Sequence, residues 1–140
     1  MIEAKIGAGL SSGTKNAPDF DQAARNVACM AEVMNRAKVN PPQLNRLDFI
    51  VLAPGYSIAG GTFAKEMKRS SIQAKVRRRV QAYEGKLDWW YANTFEPVMD
   101  IIHLHTLSWG AVIDWIGKNK PENVDPMKKY YESCLEFNSK

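Results

Sequence analysis

Glu3 and Lys5 form the first pair of residues whose types and spacing could do chemistry. Residues 2–6 are predicted to form a β-strand, and residues two positions apart on a strand project from the same face. One carboxylate and one ammonium group would then stand side by side. A carboxylate is a good ligand for Mg²⁺, and a neighbouring lysine can orient a water or stabilise charge on a phosphate. The pair therefore suits metal-dependent phosphodiester cleavage, and the alternative is a surface ion pair.

The elements that follow this strand must position any further site residue. A stretch rich in glycine and serine at 7–14 is predicted to be a flexible turn. A stripe of apolar residues at helical spacing then predicts a helix over 18–38, which carries Gln22 near its start. A continuous apolar run at 49–53 predicts a strand that is buried on both faces.

This order of strand, glycine-rich turn, helix with a glutamine and buried strand resembles the PD-(D/E)XK nuclease superfamily over residues 2 to about 54. In that superfamily a Glu-x-Lys strand precedes a helix and a further strand, and the recombination-exonuclease branch carries a glutamine on the helix. The resemblance implies an α/β fold with a restriction-endonuclease-like core, a short mixed sheet flanked by helices and a helix-rich C-terminal half. It implies that Glu3 is catalytic and binds Mg²⁺, that Lys5 positions the attacking water, and that Gln22 orients the lysine or the phosphate of DNA.

One part of the superfamily pattern has no counterpart in this chain. The superfamily places an aspartate, often after a proline, on the strand before Glu-x-Lys, whereas Pro18-Asp19 follows the motif here. One carboxylate holds Mg²⁺ poorly, because the ion usually takes one or two carboxylates together with substrate phosphate. We therefore predict a single domain over residues 1–140 that lacks the first helix and strand of the family core, and hydrolysis of DNA only if the active site is completed.

A basic stretch at 65–79 is the second candidate for function. This stretch is predicted to lie partly on a helix that Ser70 or Ser71 caps. Its cations could form a surface that follows the phosphates of DNA. The residues predicted to bind nucleic acid are Lys68, Arg69, Lys75 and Arg78. The alternative is an ordinary solvated helix face.

Two further groups have simpler interpretations. His103 and His105 would share one face of a predicted strand at 101–107, a spacing that metal sites use, but their apolar neighbours favour hydrogen-bonded histidines. Helical spacing makes core packing the first interpretation of the aromatic group, and stacking of nucleic-acid bases is the alternative. This group comprises Trp89, Trp90, Tyr91, Phe95, Trp109 and Trp115.

The remaining helices are predicted from residues that cap helix ends and residues that interrupt helices. A loop at 55–61 would precede a short helix at 62–67. A helix at 87–95 would be limited or kinked by Pro97, and Ser108 would cap the helix that follows the third strand. Asp125-Pro126 would open a final helix that ends near Phe137.

The composition sets the broad class. With 140 residues, 45% of them hydrophobic and 24% charged, the chain has an ordinary globular composition. No apolar run approaches the ~20 residues of a membrane span, so no membrane partner is expected. The two cysteines, interpreted as small apolar fillers or inert thiols, favour a reducing cytoplasm. The charge of +4 permits a polyanionic partner.

Self-association is a further expectation. A chain that begins in its catalytic strand would expose the hydrogen-bonding edge of that strand, so we expect a homo-oligomer, and exchange of N-terminal elements is one way to form it. Two alternatives to a nuclease stay open. One is a non-catalytic module that binds nucleic acid or protein, and the other is a helical assembly domain.

Overall fold

The computed structural model describes residues 1–138 and has an α/β fold, as predicted. The strands are β1 (Ile2–Ala4), β2 (Leu47–Ala53) and β3 (Ile102–Ser108). The helices are α1 (Gln22–Arg36), α2 (Gly55–Ala59), α3 (Arg69–Gln81), α4 (Asp88–Trp90), α5 (Glu96–Ile101), α6 (Trp109–Asn119) and α7 (Val124–Asn138). None of the helices in this described part has both the length and the apolar character of a membrane span.

The strands form a three-stranded parallel sheet in the order β1-β2-β3 within residues 1–138, so the sheet is not the mixed one that was predicted. β1 pairs in parallel with β2, and Glu3 lies opposite Val51. The backbone N–H of Lys5 donates to the carbonyl of Leu52 at 2.8 Å, which continues the pairing beyond the last residue of β1. A parallel pair needs a long crossover connection, and the chain between β1 and β2 contains α1.

The Cα positions divide the chain into two compact units. The first unit comprises Met1, Leu10–Phe49 and Ala64–His105. The second comprises Ile2–Gly9, Ile50–Phe63 and the chain from Thr106 onward. The single domain over residues 1–140 stays a prediction.

The core of the first unit is formed where α1 packs against α3. Both helices bury a stripe of apolar side chains at helical spacing, as expected for amphipathic helices: alanine, valine and methionine on α1, and isoleucine and valine on α3. The carboxylate of Asp21 accepts a hydrogen bond from the N–H of Ala24 at 3.0 Å and caps α1. This cap sets the start of α1 at Gln22, four residues later than the predicted start at Pro18.

The second unit buries Val51, Ala53, Phe63 and Ile113, while α7 contributes no buried residue among those described. α6 packs against α7. The hydroxyl of Ser108 accepts from the N–H of Ala111 at 3.0 Å, so the predicted cap of α6 is confirmed.

Two local predictions were wrong. The helix α2 occupies Gly55–Ala59, where a loop was expected, and turns occupy 61–67 in place of a helix. α3 begins at Arg69 without a side-chain cap, ahead of the two serines.

The helix predicted at 87–95 corresponds to α4 and a π-helical segment, Tyr91–Phe95. Pro97 lies in the first turn of α5, which follows directly.

Candidate functional site

Glu3 lies on β1 and Lys5 directly follows it, because β1 ends at Ala4, two residues earlier than predicted. Their side chains meet, as the predicted alternation implied. Lys5 Nζ lies 3.2 Å from Glu3 Oε1, and the two side chains are 16% and 23% exposed, respectively. Ala4 and Ile6 alternate with them and line an apolar cavity of about 470 Å³ together with Trp109. The pair is half-buried, so its mutual attraction is stronger than that of a fully solvated pair and solvent still reaches it.

The backbone at Lys5 is fixed from two directions. Its N–H donates to β2 through the carbonyl of Leu52. Its carbonyl accepts a hydrogen bond from Nε1 of Trp109, the first residue of α6, at 2.9 Å. Trp109 thus holds the chain at the point where β1 ends, a role that sequence reasoning did not assign to it.

The donors available for a metal are few. Within residues 1–138, no three His, Cys, Asp or Glu side chains converge into a group that could hold a metal ion. Glu3 contributes one carboxylate, which is already paired with Lys5. Mg²⁺ prefers several oxygen ligands in an octahedral arrangement. The described residues therefore do not make a complete magnesium site, and the expected magnesium stays a prediction.

Gln22 is the first residue of α1 and belongs to the first unit. Its Oε1 accepts hydrogen bonds from the N–H and the hydroxyl of Ser11 at 3.1 and 3.3 Å. Its own N–H donates to the carbonyl of Ser11 at 2.9 Å, and Arg25 Nη2 donates to the Ser11 hydroxyl at 2.9 Å. Gln22 therefore anchors the glycine- and serine-rich segment to α1, and its predicted catalytic role is untested.

Two of the predicted DNA-binding residues lie at the start of α3. Lys68 is exposed and occupies the N-cap position. Arg69 directs Nη2 to the carbonyl of Ile102 at 2.6 Å, so its guanidinium ties α3 to the first residue of β3.

The other two lie in ion pairs within the first unit. Lys75 binds the carboxylate of Asp21 in a pair whose side chains are 17% and 10% exposed. Arg78 pairs with Asp19 at an exposed position. A phosphate would therefore compete with a carboxylate at each of these cations, and the prediction that they bind DNA stays a prediction.

Two arginines of α3 that were not singled out for binding lie over aromatic rings. The guanidinium of Arg77 is 4.7 Å from the ring centroid of Tyr91. The guanidinium of Arg79 is 4.9 Å from the ring centroid of Tyr83, and its Nη2 donates to the Tyr83 hydroxyl at 2.8 Å. The spacing of four residues between Arg79 and Tyr83 on a helical turn is the signal that could have found the second pair.

The rings of the two histidines on β3 stack on each other, and one of them lies close to an acidic residue of another strand. The rings of His103 and His105 are 6.0 Å apart with an interplanar angle of 16°. His105 Nε2 lies 3.2 Å from Asp48 Oδ1, and Asp48 belongs to β2. A hydrogen bond from Arg46 at 2.7 Å is the main reason that the pKa of Asp48 lies below its ordinary value.

The aromatic group divides into buried and exposed members. Tyr91 and Phe95 are in the core, as the first interpretation expected. Trp90 stacks on Phe95 at a centroid distance of 5.9 Å. By contrast, Trp89 is 68% exposed and Trp115 is 64% exposed, so core packing does not explain these two.

Comparison with known proteins identifies no relative of the chain. No family model matches the chain, no curated protein matches it, and no solved structure matches it.

Proposed function

We propose that the chain is a nuclease-like domain with a restriction-endonuclease-like core, and that Glu3 and Lys5 form part of its site for hydrolysing phosphodiesters of DNA. The observation that carries the proposal is the half-buried ion pair on β1. The order β1, α1, β2 supports it, since it is the order that the resemblance implies. The basic residues of α3 support DNA as the polyanionic partner.

The chemistry follows from the charges of the pair. Hydrolysis forms a bond from a water oxygen to phosphorus and breaks one phosphate ester bond, and negative charge builds on the phosphate oxygens. The ammonium of Lys5 would stabilise that charge and hold the water. The carboxylate of Glu3 would orient the ammonium and accept a hydrogen bond from the water. A complete magnesium site would need oxygen donors in addition to Glu3.

The proposal is tested with the full chain, Mg²⁺, and both single-stranded and duplex DNA. We expect Glu3→Gln and Lys5→Met each to lower the cleavage rate by about 100-fold or more, because each removes a group that acts on the reacting atoms. Glu122→Gln and Lys128→Met are the matched controls, since both residues are exposed in the second unit. Cleavage that survives Glu3→Gln would exclude this site.

Binding of nucleic acid without cleavage is the second candidate function. It is favoured by the exposed indole of Trp89 in the same unit as the basic helix α3. If the unmodified chain binds DNA in a salt-dependent way and does not cleave it, this second function replaces the first.

A further inference from the structure

A groove of about 620 Å³ lies wholly within the first unit. Its volume is in the range of about 300–1,000 Å³ that is typical of small-ligand sites. Residues of α1, α3 and α4 and of the segments that precede α1 and α4 line it, and four of its side chains are aromatic. These are Phe20, Tyr83, Trp89 and Trp90.

Trp90 is fixed by its contacts, and Trp89 is left facing solvent. Nε1 of Trp90 donates to the carboxylate of Glu32 at 2.8 Å, and the ring of Trp90 stacks on the buried ring of Phe95. These contacts hold α4 in place. The adjacent indole of Trp89 is 68% exposed, so it offers an open ring face on a fixed turn of helix. Nucleic-acid bases stack on aromatic faces of this kind with little sequence preference.

A second cleft of about 150 Å³ adjoins the groove, and the two share Ala17, Phe20 and Arg79 as walls. The guanidinium of Arg79 therefore stands at the junction of the two cavities. Its hydrogen bonds go to the hydroxyl of Tyr83 and, at 3.4 Å, to the carbonyl of Asn16, both of which are neutral acceptors.

The other cations along the two cavities are paired with carboxylates, so the guanidinium at this junction keeps a net positive charge. Arg36 pairs with Glu32 at 2.6 Å, and Lys75 and Arg78 pair with Asp21 and Asp19. None of the ion pairs found between residues 1 and 138 includes Arg79. Its charge therefore favours an anionic ligand beside the aromatic groove.

We propose that this groove binds a short segment of single-stranded DNA, with one base stacked on Trp89 and a backbone phosphate held by Arg79. The inference takes its ligand class from the proposed function but does not depend on cleavage. An aromatic platform next to an unmatched cation is the arrangement that binds unpaired bases together with their phosphates. Duplex DNA keeps its bases stacked inside the helix and would leave the ring of Trp89 unused.

Fluorescence anisotropy with a labelled ten-residue oligo(dT), in EDTA, tests the stacking. We expect Trp89→Ala to raise Kd about 5- to 100-fold, the effect of losing one base–aromatic stack, and Trp89→Phe to recover most of the affinity. Trp115→Ala is the matched control, because Trp115 is 64% exposed and belongs to the second unit. We expect it to change Kd less than 2-fold. Equal Kd values for the two alanine variants would overturn the proposal, as would duplex binding as tight as that of oligo(dT).

The salt dependence of the same binding tests the phosphate contact. Arg79→Met should reduce the slope of log K against log salt by about 0.7, the value for one phosphate contact on a single strand, and Arg79→Lys should preserve the slope. Lys120→Met, at an exposed residue of the second unit, is the control. An unchanged slope in Arg79→Met would refute the role of Arg79.

These outcomes separate the groove from the hydrolytic site. The groove proposal is judged from the Kd of Trp89→Ala in EDTA, where magnesium-dependent cleavage cannot occur. The hydrolytic site is judged from the cleavage rate of Glu3→Gln. Weaker oligo(dT) binding in Trp89→Ala supports the groove even if no chain cleaves DNA. Loss of cleavage in Glu3→Gln with unchanged binding in Trp89→Ala supports the hydrolytic site and overturns the groove.

Discussion

Glu32 illustrates how neighbouring donors keep a single carboxylate ionised. Arg36 donates to it at 2.6 Å, and Nε1 of Trp90 donates at 2.8 Å. The hydrogen bond from Arg36 is the larger cause, and together these bonds hold the pKa of Glu32 below its ordinary value of 4.5. The carboxylate is therefore a stable acceptor for the indole that fixes α4.

This lowered pKa gives stability a defined pH dependence. Because the folded-state pKa is below the unfolded value, the stabilisation by Glu32 is fully present above about pH 4.5 and is lost as pH falls through the folded-state pKa. We expect the difference in free energy of unfolding between the unmodified chain and Glu32→Gln to shrink below pH 4.5. Urea titrations from pH 7 to pH 3 measure it, with Glu122→Gln as control. A difference that stays constant across this range would contradict the assignment.

At the scale of elements, the sequence predicted those whose signal is local. The apolar stripe predicted α1, the apolar run predicted β2, and Ser108 predicted the start of α6. The start of α1 was missed because Pro18 is as good a local signal as the Asp21 cap. The π-helical form of Tyr91–Phe95 was not predicted, because such a segment has no clear sequence signature.

In the candidate sites, too, only contacts between residues close in sequence could be predicted. The alternation of a strand was enough to bring Glu3 and Lys5 together. The pairing of His105 with Asp48 could not be predicted, because the acid lies on another strand and far away in the sequence. The partners of Lys75 and Arg78 were hidden for the same reason, since helix periodicity gives the face of a cation but not the residue it meets.

The pair of Asp21 and Lys75 tests how much the stability of α1 depends on its N-cap residue. Asp21 both caps α1 and neutralises a mostly buried ammonium group. We expect Asp21→Ala to lower the free energy of unfolding by about 2 kcal/mol or more, since it removes the cap and leaves Lys75 unpaired. Asp21→Asn keeps a capping oxygen and should cost about 1 kcal/mol less than the alanine variant. Equal losses in the two variants, measured by urea unfolding, would show that the cap contributes nothing.

At the scale of the whole molecule, large apolar side chains are exposed in both units, and three of the most exposed ones belong to the second unit. Ile2 is 64% exposed, Tyr130 is 75% exposed and Phe137 is 81% exposed. A contiguous exposed apolar patch marks a surface that another chain covers, whereas single exposed apolar side chains are common on monomers. The homo-oligomer expected from the sequence therefore stays a prediction.

Sedimentation equilibrium tests this expectation. We expect the unmodified chain to be larger than a monomer at concentrations of tens of micromolar, and Phe137→Glu to shift the equilibrium towards monomer because it would place a charge in the surface that the expected oligomer covers. Asn119→Glu, at an exposed position of α6, is the control, since it also adds one negative charge. A monomer at every concentration would refute self-association.

Because β1 is short, it is expected to unfold locally on heating before the helices do. Three residues and a few backbone hydrogen bonds hold this strand, whereas long helices with buried stripes hold much of the rest. Segments with so few bonds open at a lower free energy than the whole fold. The amides of β1 should therefore exchange with deuterium well before those of α1 and α3, and any hydrolytic activity of the Glu3–Lys5 pair should disappear at temperatures where the helical circular-dichroism signal is still intact.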